Sequence, residues 1–360
     1  MQKSKKNIFL WLFLVYMIFI VFICGCSVQS GDKNIETSFN ETSETSETSE
    51  ITEITVEITT TTEIIETVET IETAETTETD TEPWFEYDIA DHTGFGMIDI
   101  FVFGIGKADA ILITTENHTV MIDTGETKHG YEIINDLKNR GINKIDYLII
   151  THYDKDHVGG AAPVINRLDV KEIIAPGYGK ESKQYDQFIN AAVNRGLGIN
   201  ILNEPVRFIL DSAEFAVYPS NQEYCVYGGN TNENDDADTN GTINENDFSL
   251  VVKVTHGNNN FLFTGDAMAE RIGEMLSTEE IVNTEYDFLK APHHGRYNKR
   301  SAEFISAVKP KYAVITCSLE QPADERIISA LREAGTEVFL TANGDVYCVS
   351  NGETVITAYK

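Results

Sequence analysis

The chain has 360 residues and a formal net charge of −31, a length that permits two or three domains. So acidic a balance argues against a broad polyanion-binding surface, which needs a basic footprint. The charge is unevenly spread, and whole-chain averages conceal three different textures.

Residues 8–23, IFLWLFLVYMIFIVFI, are uncharged and follow Lys3, Lys5 and Lys6. A basic start, a short apolar run and then small residues form a secretory signal pattern. The run is short of the roughly 20 apolar residues that a spanning helix needs. Ile23-Cys24-Gly25-Cys26 resembles the bacterial lipobox, with Ile23 where Leu is usual. That resemblance implies cleavage after Gly25 and lipidation of Cys26, leaving the remainder on the extracellular face of the cell membrane. An uncleaved signal anchor gives the same location.

Residues 27–82 are Thr, Glu, Ser and Ile in low-complexity order, with sixteen acidic residues and one lysine. Such a segment buries too little surface to offset its ordering entropy, and like charges extend it. A disordered tether is therefore expected between residues 1–26 and a folded domain over residues 83–360. Within that domain Cys225, Cys317 and Cys348 show no metal-type spacing; one disulfide or three free thiols are both compatible with an exterior location.

Strand-length apolar runs occur at Met97–Phe103, Ala110–Thr114, Thr119–Ile122 and Tyr147–Thr151. Others lie at Phe215–Tyr218, Phe248–Val254, Phe261–Thr264, Tyr312–Thr316, Glu337–Leu340 and Val346–Val349. Helical periodicity separates several of them, at Tyr131–Asn139, Ala161–Leu168, Tyr185–Arg195, Ala267–Leu276, Ala302–Val308 and Asp324–Glu333. The alternation predicts an α/β domain with two sheets and outer helices. One insertion, Asn221–Asp247, is rich in Asn, Asp and Gly. There Asp236, Asp238, Asn240, Gly241 and Asp247 fall in calcium-loop register, though Asp stands at the last position in place of Glu. A solvated surface insertion is the competing reading.

The chemistry concentrates in Ile149-Ile150-Thr151-His152-Tyr153-Asp154-Lys155-Asp156-His157-Val158-Gly159-Gly160. An apolar strand leads into two imidazoles and two carboxylates, an expensive placement unless something cationic compensates it. Such a donor set suits zinc, manganese or iron. Asp266 follows the apolar FLFTG, and His293-His294-Gly295 follows another apolar run.

These segments resemble the H-x-[HD]-x-D-H signature of the metallo-β-lactamase superfamily, in the H-x-D-x-D-H-x-G-G form of the ComEC extracellular hydrolase domain. Phe101–Ile113, Met121–Gly125, Asn246–Val251, Phe263–Ala267 and Leu289–Gly295 are similar to further segments of that family, in the same order. The resemblance implies an αββα four-layer sandwich holding two divalent metal ions, zinc or manganese. His152 and Asp154 would bind one ion, Asp156 and His157 the second, and Asp266 both. His293 or His294 would complete the set, with Asp123 orienting a ligand from behind. Asp156 and His294 are the expected catalytic groups, with Lys290 a further candidate to neutralise a leaving group.

Departures from the family pattern are Gly104, Ala108 and Arg296, and no histidine stands within Asn246–Ser249. The first metal position is thereby oxygen-rich, which favours manganese. Paired ions would activate water and stabilise charge on a phosphoryl or carbonyl oxygen. A phosphodiester is the expected substrate, DNA first, contacted through a strip of Lys290, Arg296, Lys299 and Arg300. The alternatives are a phosphorylcholine-esterase-like surface enzyme, which needs no basic groove, and a non-catalytic surface protein. Against the last stands the complete ligand set; no protein partner is indicated.

Overall fold

The computed structural model describes residues 89, 91, 93–221 and 244–360. The signal segment with Cys26, the tether, Cys225 and the calcium-register positions Asp236, Asp238, Asn240 and Gly241 lie outside the described residues.

In β1 (Ile98–Val102), Ile98, Ile100 and Val102 face one core and Phe101 another, and all four are buried. The same parity runs through β2 (Ile111–Thr114) and β3 (Thr119–Ile122), where Leu112 and Met121 oppose Ile111, Ile113, Val120 and Ile122. Strands buried on both sides belong inside a layered structure. The first sheet runs β15-β14-β1-β2-β3-β4-β5-β6, with β4 (Lys144–Ile149), β5 (Asp169–Pro176), β6 (Ile199–Leu202), β14 (Val346–Ser350) and β15 (Val355–Tyr359). From β3 to β6 it is parallel.

The second sheet runs β13-β12-β11-β10-β9-β8-β7. Its members are β7 (Val206–Leu210), β8 (Ala213–Tyr218), β9 (Val251–His256), β10 (Asn259–Phe263), β11 (Phe288–Lys290), β12 (Tyr312–Ile315) and β13 (Glu337–Leu340). From β10 to β13 it too is parallel. Phe215, Phe261, Phe263 and Phe288 meet the isoleucines and valines of the first sheet in the central core.

Helices close both outer faces. On the first sheet lie α1 (Thr127–Asn139), the one-turn α2 (Lys155–Val158), α3 (Ala161–Arg167) and α4 (Lys183–Asn194), burying Ile133, Val158, Val164 and Phe188. On the second lie α5 (Ala269–Ser277), α6 (Glu279–Val282), α7 (Ser301–Val308) and α8 (Glu325–Glu333), burying Ile272, Ile281, Phe304 and Ile328. The result is the expected four-layer order of helix, sheet, sheet and helix.

Two boundaries differ from the sequence reading for one reason. Phe248 lies in a 3₁₀ turn, Glu245–Phe248, and β9 starts only at Val251. The helix expected from Ala267 starts at Ala269, with Met268 as its N-cap, so Asp266 is not a helix cap. Both shifts free backbone to shape the site. The strands β5, β6, β7, β11 and β15 carry too few periodic apolar residues, or are too short, to register by pattern. Cys317 and Cys348 are buried free thiols.

The helix layer approaches the site through glycines. A Cβ on Gly160 would lie 2.2 Å from the Thr124 carbonyl oxygen and 2.9 Å from Gly130 Cα. Neither backbone atom can move without shifting α1 and the loop after β3. Gly160→Ala is therefore expected to cost about 3 kcal/mol or more, read as a lowered urea midpoint; an unchanged midpoint would disprove this packing.

Candidate metal centre

The site forms where parallel strands of both sheets end. Asp123 follows β3, His152 to His157 follow β4, Asp266 follows β10, His293 and His294 follow β11, and Thr316 follows β12. Asp109 precedes β2, which is antiparallel to β3 and so starts at the same end. Three of these residues hold left-handed backbone without being glycine: Asp123 (φ 57°), His293 (φ 45°) and His294 (φ 52°). Each such residue costs about 1–3 kcal/mol and persists only where its surroundings fix it.

Three histidines share one orientation rule. His157 Nδ1 meets Asp123 Oδ2 at 2.8 Å, His294 Nδ1 meets Thr316 Oγ1 at 2.9 Å, and His152 Nδ1 meets Thr151 Oγ1 at 3.1 Å. Asp123 is itself fixed by the Thr151 amide at 2.8 Å and the Thr151 hydroxyl at 2.6 Å. A ring held through Nδ1 presents Nε2 as a donor of known direction, the arrangement typical of metal-ligating histidines. The Nε2 atoms of His152, His157 and His294 are all buried and lack a hydrogen-bond partner among the described residues. His157 Nε2 is 3.3 Å from Asp266 Oδ1 and His294 Nε2 is 3.0 Å from Asp266 Oδ2, near enough for charge attraction but not aligned as hydrogen bonds.

Two donor groups result, His152–His157–Asp266 and Asp156–His157–His294, each with its donor atoms within 4.8 Å of one another. Three orphaned nitrogens among ionised carboxylates fit divalent ions, and no other described group satisfies them. Burial opposes charge on His157, yet Asp266, Asp123 and Asp109 outweigh it and raise its pKa well above normal. His294 is raised against burial by Asp266 and Asp109. Asp266, despite burial, is held well below the usual carboxylate range by His294, His157 and Lys290. Divalent ions held by these residues would take the place of imidazole protons.

Asp154 and His293 stand apart from these groups. Asp154 Oδ1 pairs with Lys180, while Oδ2 lies 3.7 Å from His152 Nε2. His293 turns Nδ1 to Met268 Sδ at 2.7 Å, and its Nε2 is 3.8 Å from Asp266 Oδ2. Burial pushes the His293 pKa down to about 3, so it stays neutral. Of the pair, His294 is the one placed as a donor.

Lys290 corrects the sequence reading. Its side chain is 0% exposed, paired with Asp109, 3.4 Å from Asp266 Oδ1 and donating to the Gly265 carbonyl at 3.0 Å. It lies behind the metal position and cannot meet a leaving group or a nucleic acid. The other members of the expected strip stand at the surface beside acidic groups, Lys299 3.0 Å from Glu270 and Arg300 3.4 Å from Glu303. Sequence reasoning also missed Asp109, which accepts from Thr316 Oγ1 at 2.6 Å; a lone carboxylate at the entry to an apolar strand was its signal. His256 is buried away from the site against Ser350 Oγ at 2.9 Å.

The Asn246–Val251 segment acts as framework. Ser249 Oγ accepts the Asp266 amide at 3.1 Å. Arg271, 3% exposed, donates to the carbonyls of Ser249 and Tyr218 at 2.9 and 2.6 Å. Asp247, the last calcium-register position, accepts the Arg271 amide at 3.0 Å.

A family model of the Metallo-beta-lactamase superfamily matches residues 104–318, and the chain belongs to that superfamily. Among curated relatives it is 27% identical over 239 residues to ComE operon protein 3 of Bacillus subtilis (strain 168), covering 61% of this chain and 28% of that protein. It is 26% identical over 226 residues to Recombination protein 2 of Haemophilus influenzae, covering 61% of this chain and 24% of that protein. The match thus spans about a quarter of the length of these relatives. Among solved structures, the metallo-beta-lactamase fold protein YhfI from Bacillus subtilis covers 73% of this chain and 100% of its own, with TM-score 0.44 and 10% identity.

Asp247 supplies a pH-dependent test of the framework. Burial, aided by Glu270 and Glu274, raises its pKa from 3.8 to about 6. A raised acid favours the protonated state, so its contribution to stability is complete below about pH 4 and lost as pH rises through 6. Asp247→Asn removes that loss. The variant should gain on wild type by about 2 kcal/mol between pH 4 and pH 8, read from urea unfolding at both pH values; a pH-independent gap would refute the assignment.

Proposed function

We propose that this chain is a membrane-anchored extracellular metallohydrolase that cleaves phosphodiesters, with DNA as the leading substrate. The observation that carries the reading is the convergence of the three unpartnered Nε2 atoms, His152, His157 and His294, around Asp266. Two divalent ions there, zinc or manganese, would supply Lewis acidity toward a phosphoryl oxygen and activation of water. Asp266 stands between the two donor groups, and Asp123 and Thr316 fix the rings that face it. Asp156, partly exposed and 3.4 Å from His294 Nε2, is the carboxylate on the open side, suited to hold a proton during attack.

DNA is favoured by similarity to a relative named for recombination. The acidic surface favours the second reading, a small phosphodiester such as a choline ester, which asks for no basic groove. With no histidine within Asn246–Ser249 and the Asp154 carboxylate close to His152, manganese is favoured over zinc. Metal-loaded protein should therefore hydrolyse a phosphodiester faster with manganese than with zinc, and Asp156→Asn should reduce turnover at least about 100-fold. The assay offers single- and double-stranded DNA, a choline phosphodiester and a lactone. Loss of turnover with salt on DNA would mark phosphate contacts; hydrolysis of the lactone alone would sink the phosphodiesterase reading.

For location, the proposal is a lipid on Cys26, supported by the apolar segment that ends at Ile23-Cys24-Gly25-Cys26. Wild type should fractionate with membranes and begin at a lipidated Cys26 by mass spectrometry. Cys26→Ala should keep an unprocessed N-terminus. A mature wild-type N-terminus well inside the tether, carrying no lipid, would end this proposal.

A further inference from the structure

The position beside His152 is bounded by an amine. Lys180, in the loop after β5, pairs with Asp154 Oδ1 and lies 2.7 Å from Glu245 Oε2. Its side chain is 21% exposed and that of Glu245 16%, so neither is a surface charge free to wander. The loop carrying Lys180 is locked to the motif. The Tyr153 amide donates to the Tyr178 hydroxyl at 2.9 Å, and the Tyr153 hydroxyl donates to the Pro176 carbonyl at 2.9 Å. Tyr178 also packs on Phe248, at 5.3 Å between centroids, which fixes the Glu245–Phe248 turn. Three separate segments thus bring one ammonium and two carboxylates together, and the free oxygen of Asp154 faces the orphaned Nε2 of His152 at 3.7 Å.

We infer that Lys180 is a resident cation of the position beside His152, neutralising Asp154 and Glu245 and so lowering that position's affinity for a divalent ion. The inference rests on the metallohydrolase reading and adds an asymmetry to it. The group formed by Asp156, His157 and His294 has no lysine on it among the described contacts, and it fills first. An ion beside His152 has to share Asp154 with the ammonium, and like charges a few ångströms apart in a partly buried site oppose each other by more than at a free surface. The lysine thereby occupies, in charge terms, the side of the site where no histidine stands within Asn246–Ser249.

The test is binding of manganese alone to the full-length protein, with free Mn²⁺ counted by electron paramagnetic resonance. Wild type should bind one ion tightly and a second at least about tenfold more weakly. Lys180→Met should tighten the weaker constant by at least about tenfold and leave the tight one within about twofold. Lys180→Arg should keep the wild-type pattern. Because Lys180→Met leaves two carboxylates facing each other, Glu245→Gln is a second arm. It leaves the ammonium on Asp154 alone and should weaken the second ion further. An unchanged or weakened second constant in folded Lys180→Met, or a tightened one in Glu245→Gln, would overturn the inference. Wild type and Asp266→Ala binding the same number of ions would instead overturn the metal reading beneath it, and the inference with it.

Discussion

Everything at this site depends on how Asp109, Asp123 and Asp266 are buried side by side without a single water-facing edge. His157 touches all three, with Nδ1 at 2.8 Å from Asp123 and 3.8 Å from Asp109, and Nε2 at 3.3 Å from Asp266. Ionised carboxylates out of water cost several kcal/mol each unless matched by charge and hydrogen bonds. Lys290 meets that demand from behind, joining Asp109 to Asp266 while its third contact is the Gly265 carbonyl. Lys290 is a positioning residue: it holds Asp266 pointed forward and leaves the remaining negative charge for cations on the open side.

The fold delivers this cluster by topology. Parallel strands β3–β4 and β10–β11–β12 end together, and every loop leaving them contributes to the site. Loops at such ends tolerate strain because rigid sheets hold both flanks. The consecutive left-handed residues His293, His294 and Gly295 show the tolerance in use. They turn the two imidazoles apart, one to Met268 and one to Thr316, which is how an adjacent pair ends with only one member facing the metal position.

The elements whose residues alternate or run apolar, β1 to β4 and β8 to β10, were legible in the sequence, as were α1, α3, α4, α7 and α8. The three-residue β11 and the charged β5 and β7 were not, because pairing with neighbours, not local pattern, makes them strands. For the site, His152, Asp156, His157 and Asp266 could be read from one motif and one apolar run. Asp109 had only a lone carboxylate before an apolar strand to mark it, and Lys180 and Thr316 had nothing, since each acquires its role from a partner far away in the chain. Lys290 shows the opposite failure: a lysine beside a histidine pair reads as a substrate contact, and only burial reveals that it supports a carboxylate.

The same burial bears on the proposed anionic substrate. Of the expected basic strip, Lys290 is enclosed and Lys299 and Arg300 each stand beside a glutamate, so these described side chains enter the surface partly neutralised. On the proposed reading, divalent ions held by the His152–His157–Asp266 and Asp156–His157–His294 groups would add attraction for a phosphate, and charges in a partly dry site are screened less than surface lysines. On that reading, a site so charged would hold the phosphodiester under attack more firmly than its neighbours. The proposal therefore fits strand ends, single nucleotide steps or small diesters better than long duplex contacts, and it would separate the strength of catalysis from the net charge of the chain.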